Sequence, residues 1–284
     1  MALTNNKFTT FLLSYHPGTV KDLPVVSPYA IRLLSEEAER EPGKDELVRA
    51  FETDPFLSAK VCGVANSMFF NQHDHTIFDA GKAIDRVGIE YATKLLRQAP
   101  CFPPSCDLKQ LEALWMHSIA VASAARTLGE YVRTSYLDLD LRALFLMALI
   151  HDIGYFVEIH YDVTRLSSIV GSLQDEETGS DPQSHVVLGE ALAHFWILPA
   201  AARDAIRWHH APNGCQSQKG QFVAAVIKAA ETVVVSWQTK RSLDLQSCEE
   251  SMAITGLTSS HMKAVVATMD KLQDGWTRGN IQWN

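Results

Sequence analysis

Apolar residues recur at three- and four-residue spacing along most of the chain, while strict apolar/polar alternation is scarce. The pattern therefore predicts helices and no substantial sheet. Short helices are expected over 27–39, 45–51, 55–69, 77–87 and 90–98, punctuated by proline and glycine. Asp54-Pro55 is a strong helix start, because aspartate can cap and proline fits the first helical position, where an N–H has no partner. Pro100, Pro103 and Pro104 then interrupt the pattern, which puts the best internal boundary at 99–107. Beyond it a longer helix is expected at 108–132, with Leu111, Leu114, Trp115 and Ile119 on one face, followed by a buried helix at 139–150. A looser stretch rich in Gly, Ser and acids occupies 171–181. Asp181-Pro182 opens a helix reaching Ile197, and helices at 200–210, 221–237 and 259–273 complete the set.

With 284 residues, 46% hydrophobic and 20% charged, the chain can bury a sizeable core as one large domain or two lobes. Its longest apolar stretch, 141–150, falls short of the ~18 residues a membrane span needs and contains Arg142. The first eight residues lack the charged start and long apolar stretch of a signal peptide, so a cytoplasmic protein without membrane contact is expected. A net charge of −8 with no Lys/Arg run argues against a nucleic-acid partner held by phosphate neutralisation. The five cysteines form no CxxC and are odd in number, which points to free thiols. Two tryptophans near the C-terminus, Trp276 and Trp283, would form an interaction surface if exposed; packing back on the domain is the plainer alternative.

The candidate chemistry centres on His151-Asp152-Ile153-Gly154, at the end of the apolar run 141–150. Burying an imidazole and a carboxylate there is costly unless a metal or a hydrogen-bond network pairs with them. Further histidines are spread as a metal cluster would need: His117, inward-facing by its Leu114 and Val121 neighbours, His185, and the His209-His210 pair at a helix end. Taken singly, each has a plain structural reading. The ordered set on separate helices is far more specific than any member.

Several segments together resemble the HDOD family, the HD-related output domain branch of the HD phosphohydrolase superfamily. Thr53-Asp54-Pro55-Phe56-Leu57-Ser58, continuing to Asn66-Ser67, resembles the family's "DPxLsxklLrlaNS" block, and residues 79–88 resemble "sixxAixxLG". Trp115-Met116-His117-Ser118 matches "WxHS", Ala148–Gly154 is similar to "GLLHDIG", and His185–Leu192 to "HaevGaxLl". The resemblance covers roughly 20–215 and implies an all-α, HD-domain-like fold. In that fold an N-terminal helical bundle (20–99) packs on an HD-like helical core (100–237), preceded by a segment 1–19 and followed by a helical extension 238–284.

The resemblance also implies a ligand set. The superfamily's His, His-Asp and distant Asp carry over as His117, His151, Asp152 and, one methylene longer than the usual residue, Glu231. The histidines that binuclear HD-GYP relatives add match His185, His209 and His210. The implied cofactor is one or two divalent ions (Fe, Mn, Ni, Zn or Co), with Asp152 as the catalytic residue if the chain is a hydrolase. Three departures weigh the other way. Tyr155 stands where HD-GYP enzymes carry lysine, and Ala211-Pro212-Asn213-Gly214 replaces their glutamate and Gly-Tyr-Pro loop. Glu231 replaces the aspartate, and no Arg/Lys cluster compensates near the pair, although Arg203 and Arg207 lie on the helix before it. These argue against cyclic di-GMP hydrolysis. They favour a non-catalytic bacterial signal-transduction module that binds a signalling protein or a small ligand, with a metal-dependent phosphohydrolase as the alternative.

Overall fold

The computed structural model describes residues 23–36, 40–72, 75–102, 106–133, 139–173 and 184–276. Among them the regular elements are helical apart from one parallel bridge between Val25 and Cys101. The first lobe holds α1 (Pro28–Glu36), α2 (Lys44–Thr53), α3 (Pro55–Ala65), α4 (Ala80–Val87) and α5 (Ile89–Arg97). The core follows with α6 (Leu108–Val132), α7 (Leu141–Leu149), α8 (Ile153–Tyr161), α9 (Leu166–Ser172), α10 (Ser184–Phe195), α11 (Ala200–Trp208) and α12 (Gln218–Thr239). Three short helices close the chain: α13 (Glu249–Thr255), α14 (Ser259–Val266) and α15 (Met269–Trp276).

Asp54 organises the first lobe. Its Oδ1 accepts from the Phe56 and Leu57 amides at 2.9 and 3.0 Å, capping α3, while Oδ2 accepts from Val26 and Ser27 at 2.8 and 2.9 Å. One fully buried carboxylate thus satisfies four backbone donors and ties the lead-in of α1 to the start of α3. Asn66 does similar work at the far end of α3: its amide donates to the Ile77 carbonyl at 2.7 Å and accepts from the Ile77 amide at 2.8 Å.

The lobes share one hydrophobic core. Phe56 packs edge-on to Phe156, with ring centroids 5.0 Å apart. The Trp115 indole donates to the Thr53 carbonyl at 2.9 Å, and Arg142 pairs with Glu52 at 3.1 Å. Within the core, α6 packs on α7 and α12, α8 on α10, and α10 and α12 on α11.

The apolar stretch expected as a single helix at 139–150 is half of a longer feature. Leu141–Leu149 ends, the chain turns through Ile150–Asp152, and a second apolar helix runs from Ile153 to Tyr161. Leu141–Tyr161 and Gln218–Thr239 are long and apolar enough to cross a membrane by composition, yet 89% and 72% of their windows are buried inside the protein, where they form its core. Of the two C-terminal tryptophans, Trp276 is buried against Trp237, edge-on at 6.0 Å; Trp283 lies outside the described residues, as do 1–22, 103–105 and 174–183.

Replacing Asp54 by alanine should strand four buried amides. We expect a loss of at least about 3 kcal/mol, read as a lower urea midpoint, because each buried amide left without a partner costs about 1–3 kcal/mol. An unchanged midpoint would remove Asp54 from this role.

Candidate metal centre

The turn between α7 and α8 places the centre. His151 follows the end of α7, and its Nδ1 lies 2.7 Å from the Ala148 carbonyl, which can only accept. Nδ1 therefore carries a proton, and Nε2 is the atom left facing inward. His209 repeats the device on α11, with Nδ1 donating to the Ile206 carbonyl at 2.8 Å.

Asp152 occupies the N-cap of α8, where an aspartate ordinarily turns back onto the first free amides. Its side chain makes no capping hydrogen bond. Forgoing a cap costs about 1 kcal/mol, so another interaction must hold the carboxylate where it is.

The carboxylate faces two sets of donors. Oδ2 is 3.2 Å from His151 Nε2 and 3.6 Å from His117 Nε2, while Oδ1 is 3.3 Å from His185 Nε2 and 3.5 Å from His209 Nε2. Glu231, on α12, brings Oε1 to 3.4 Å from His151 Nε2, so the longer side chain still reaches the cluster. His210 completes the second set from its rim, with Nε2 3.1 Å from His185 Nε2. Two groups result, His117/His151/Asp152/Glu231 and Asp152/His185/His209/His210; within each, one donor atom per residue lies within 4.8 Å of the others. All seven candidate ligands are therefore brought together, with Asp152 common to both groups.

Glycine makes this approach possible. A Cβ on Gly154 would sit 1.8 Å from the His185 carbonyl oxygen, and one on Gly189 would meet Ile153 at 3.2 Å and the Gly154 backbone nitrogen at 3.3 Å, besides Ile206 of α11 at 2.8 Å. Helices α8 and α10 cross closely enough to set His185 beside Asp152 only because those positions lack side chains. Glu158 adds a polar tie, accepting from Ser184 at 2.5 Å and pairing with Arg165 at 2.9 Å.

The donor set fits divalent ions. Both nitrogens of His117, Nε2 of His151, Oδ1 of Asp152 and Nδ1 of His185 are buried without a hydrogen-bond partner. Contacts of 3.1–3.6 Å within the cluster lie inside ion-pair range but mostly off hydrogen-bond geometry. Such spacing suits two atoms each about 2.1 Å from one ion at right or tetrahedral angles, which sit about 3.0–3.4 Å apart. Three imidazole nitrogens, those of His185, His209 and His210, also crowd at 3.1–3.4 Å, where protons alone cannot serve every pair.

Electrostatics tell the same story. Burial opposes a charged His151, but Asp152 and then Glu231 outweigh it and push the imidazole up to about 10. The proton sits where a cation is wanted. Burial likewise disfavours ionised Asp152 and Glu231, yet the imidazoles around them, His151 foremost, hold Asp152 well below the usual carboxylate range and Glu231 down to about 2. Burial lowers His117, takes His185 down to about 3 and His210 down to about 4, so those rings stay neutral and able to ligate.

A cavity of about 370 Å³ opens from this cluster, with His117, Asp152, His210 and Glu231 at its inner end. Tyr155 lines it and stacks on His185, ring centroids 4.0 Å apart. Two cations that sequence reasoning did not single out, Lys228 and Arg241, line it as well. Lys228 had a sequence signal, lying one turn before Glu231 on α12; Arg241, in the loop after that helix, had none. Arg203 and Arg207 are not among the cavity's described lining residues: Arg203 contacts His194 at 3.2 Å and Arg207 pairs with Glu190 at 3.5 Å.

Comparison with known proteins agrees with this architecture. The HDOD domain matches over residues 23–212. The chain belongs to the HDOD family. This HDOD chain also superposes on solved structures of low identity. The MmoQ response regulator of Methylococcus capsulatus gives a TM-score of 0.59 at 16% identity, over 87% of this chain and 98% of its own. A virulence factor of Campylobacter jejuni gives 0.52 at 13%, over 92% and 99%. A candidate metal-dependent phosphohydrolase of Shewanella amazonensis gives 0.50 at 16%, over 95% and 96%. At these identities the likeness carries the fold. No protein with a curated description matches the chain.

The charge on His151 has a signed consequence. Its folded pKa is raised from 6.5 to about 10, so in metal-free protein the resulting stabilisation is full below about pH 6.5 and is lost as pH climbs through about 10. An NMR titration of the His151 ring in chelator-stripped protein should show imidazolium persisting to about pH 9. Deprotonation at or below 6.5 would contradict the charge arrangement.

Proposed function

We propose that this HDOD chain is a metal-dependent phosphohydrolase acting on a small phosphoester, with two divalent ions held on either side of Asp152. The observation that carries this reading is Asp152 itself, an N-cap aspartate that makes no cap and presents one oxygen to each of two ligand groups. His117, His151 and Glu231 would hold one ion together with Asp152, and His185, His209 and His210 would hold the other with the same residue. Bound there, such ions supply a water of lowered pKa and positive charge for phosphoryl oxygens.

The chain's own residues do the rest. The backbone-anchored rings of His151 and His209 keep their Nε2 atoms aimed inward, and the closely packed core excludes bulk water from the inner side. The cavity leaves one side open to a substrate, and Lys228 and Arg241 on its wall offer the cations that position 155 lacks. Histidine and carboxylate donors suit Fe, Mn, Ni, Zn or Co equally.

A second reading keeps the centre as scaffold in a signalling module that binds a partner protein or small ligand. Tyr155 favours it: the ring covers one face of His185 at the position where HD-GYP enzymes place a phosphate-contacting lysine. The placement of Glu231 and the cavity cations weigh toward hydrolysis.

Turnover of p-nitrophenyl phosphate and bis(p-nitrophenyl) phosphate by manganese- or iron-loaded protein separates the two. The hydrolase reading expects activity that falls by about 10²–10³-fold in Asp152→Asn and in His185→Ala. Loaded wild type no faster than Asp152→Asn on either ester leaves the signalling module.

A further inference from the structure

Most of the cavity's described lining residues follow the HDOD match, which ends at 212. Helix α12 ends at Thr239, and the left-handed conformation of its C-cap Lys240 (φ 56°) turns the chain into a loop that lines the cavity with Arg241, Ser242, Asp244 and Ser247. The loop is internally braced. Ser236 Oγ donates to the Arg241 carbonyl at 2.7 Å, and Asp244 accepts from the Gln246 and Ser247 amides at 3.1 and 3.2 Å. Three turns back along α12, Lys228 donates to the His210 carbonyl at 2.6 Å, which fixes its ammonium next to the centre.

The lining has a distinct chemistry. Thr232, Ser236, Thr239, Ser242 and Ser247 supply hydroxyl oxygens and Asp244 a carboxylate. The Thr232, Ser236, Thr239 and Ser247 hydroxyls donate to main-chain carbonyls and so offer lone pairs; Leu173 and Val235 are the aliphatic side chains among the described lining residues. Tyr155 is the one aromatic ring other than histidine among the lining residues, and one of its faces is already taken by His185. A nucleobase stacks best in an aromatic sandwich or apolar slot, and the described lining residues offer one such ring, with one face already occupied by His185. Hydroxyls and a carboxylate pair instead with a polyol, while lysine, arginine and the metal centre pair with phosphate. At about 370 Å³ the space lies at the small end of ligand pockets, about 300–1,000 Å³. At its inner end His117, 3% exposed and unpartnered at both nitrogens, faces the same cavity.

We propose that this cavity binds a small sugar phosphate: the phosphate lies between the His/Asp centre and the Lys228 and Arg241 cations, and the polyol lies against the hydroxyl-lined loop 239–247. Placing the phosphate at the inner end rests on the reading of the centre given above. The loop's part is separate, because it draws on residues outside the ligand set.

Calorimetric titration of the full chain, manganese-loaded and chelator-stripped, with ribose 5-phosphate, glucose 6-phosphate, AMP and inorganic phosphate tests this. One of the sugar phosphates should bind loaded protein at least tenfold more tightly than AMP or inorganic phosphate. Arg241→Gln should weaken that binding tenfold or more, and Ser242→Ala several-fold, with manganese content and melting temperature as in wild type. AMP binding tightest, no sugar phosphate binding in either form, or both variants binding like wild type would overturn the assignment. If manganese fails to load, the hydrolase reading falls by itself. Stripped protein then decides the cavity's role: sugar-phosphate binding that depends on Arg241 supports it, and none overturns it.

Discussion

The structure depends on a carboxylate placed where it gains nothing from its own helix. Asp152 sits at the head of α8 among apolar side chains, 2% exposed, and gives up the capping bond its position offers. An ionised group so deeply buried is tolerable only if positive charge surrounds it. In metal-free protein a proton on His151 supplies that charge in part, which is why the imidazole is held up to about 10. The partnerless nitrogens of His117 and the crowded rings of His185, His209 and His210 show that one proton does not satisfy the whole cluster.

The fold can be read outward from that point. Bringing His185 to Asp152 requires α8 and α10 to cross at backbone contact, hence Gly154 and Gly189. Bringing His117 to the same point requires α6 to be fixed in rotation, which the buried Trp115 achieves through its hydrogen bond to Thr53. Thr53 in turn precedes Asp54, the carboxylate that gathers four amides of the first lobe. The first lobe thus brings no candidate ligand to the centre and braces the helix that carries one.

The candidate donors were legible in the sequence because histidine, aspartate and glutamate at family-specific spacings are chemically distinctive. The helical class was legible from periodicity. Helix α8 was not seen, because its residues, Ile153–Tyr161, continue an apolar run with no polar face to mark a fresh start. The turn that separates it from α7 is made by the site residues themselves rather than by proline or by glycine in a turn. Lys228 and Arg241 were passed over for another reason: they share a cavity wall only because α12 ends at Thr239 and the chain turns at Lys240, and no local pattern reports that. Of the two alternatives open for Trp276, an interaction surface or packing back on the domain, the second holds: the ring is buried against Trp237.

The central claim is that Asp152 is shared by two metal sites. Elemental analysis of protein purified without chelator, beside Asp152→Ala, Glu231→Gln and His210→Ala variants shown to be folded, tests it directly. The account predicts about two ions per chain in wild type, about one in each single-side variant and none in Asp152→Ala. A folded wild type without metal, or an Asp152→Ala variant that keeps both ions, would contradict it.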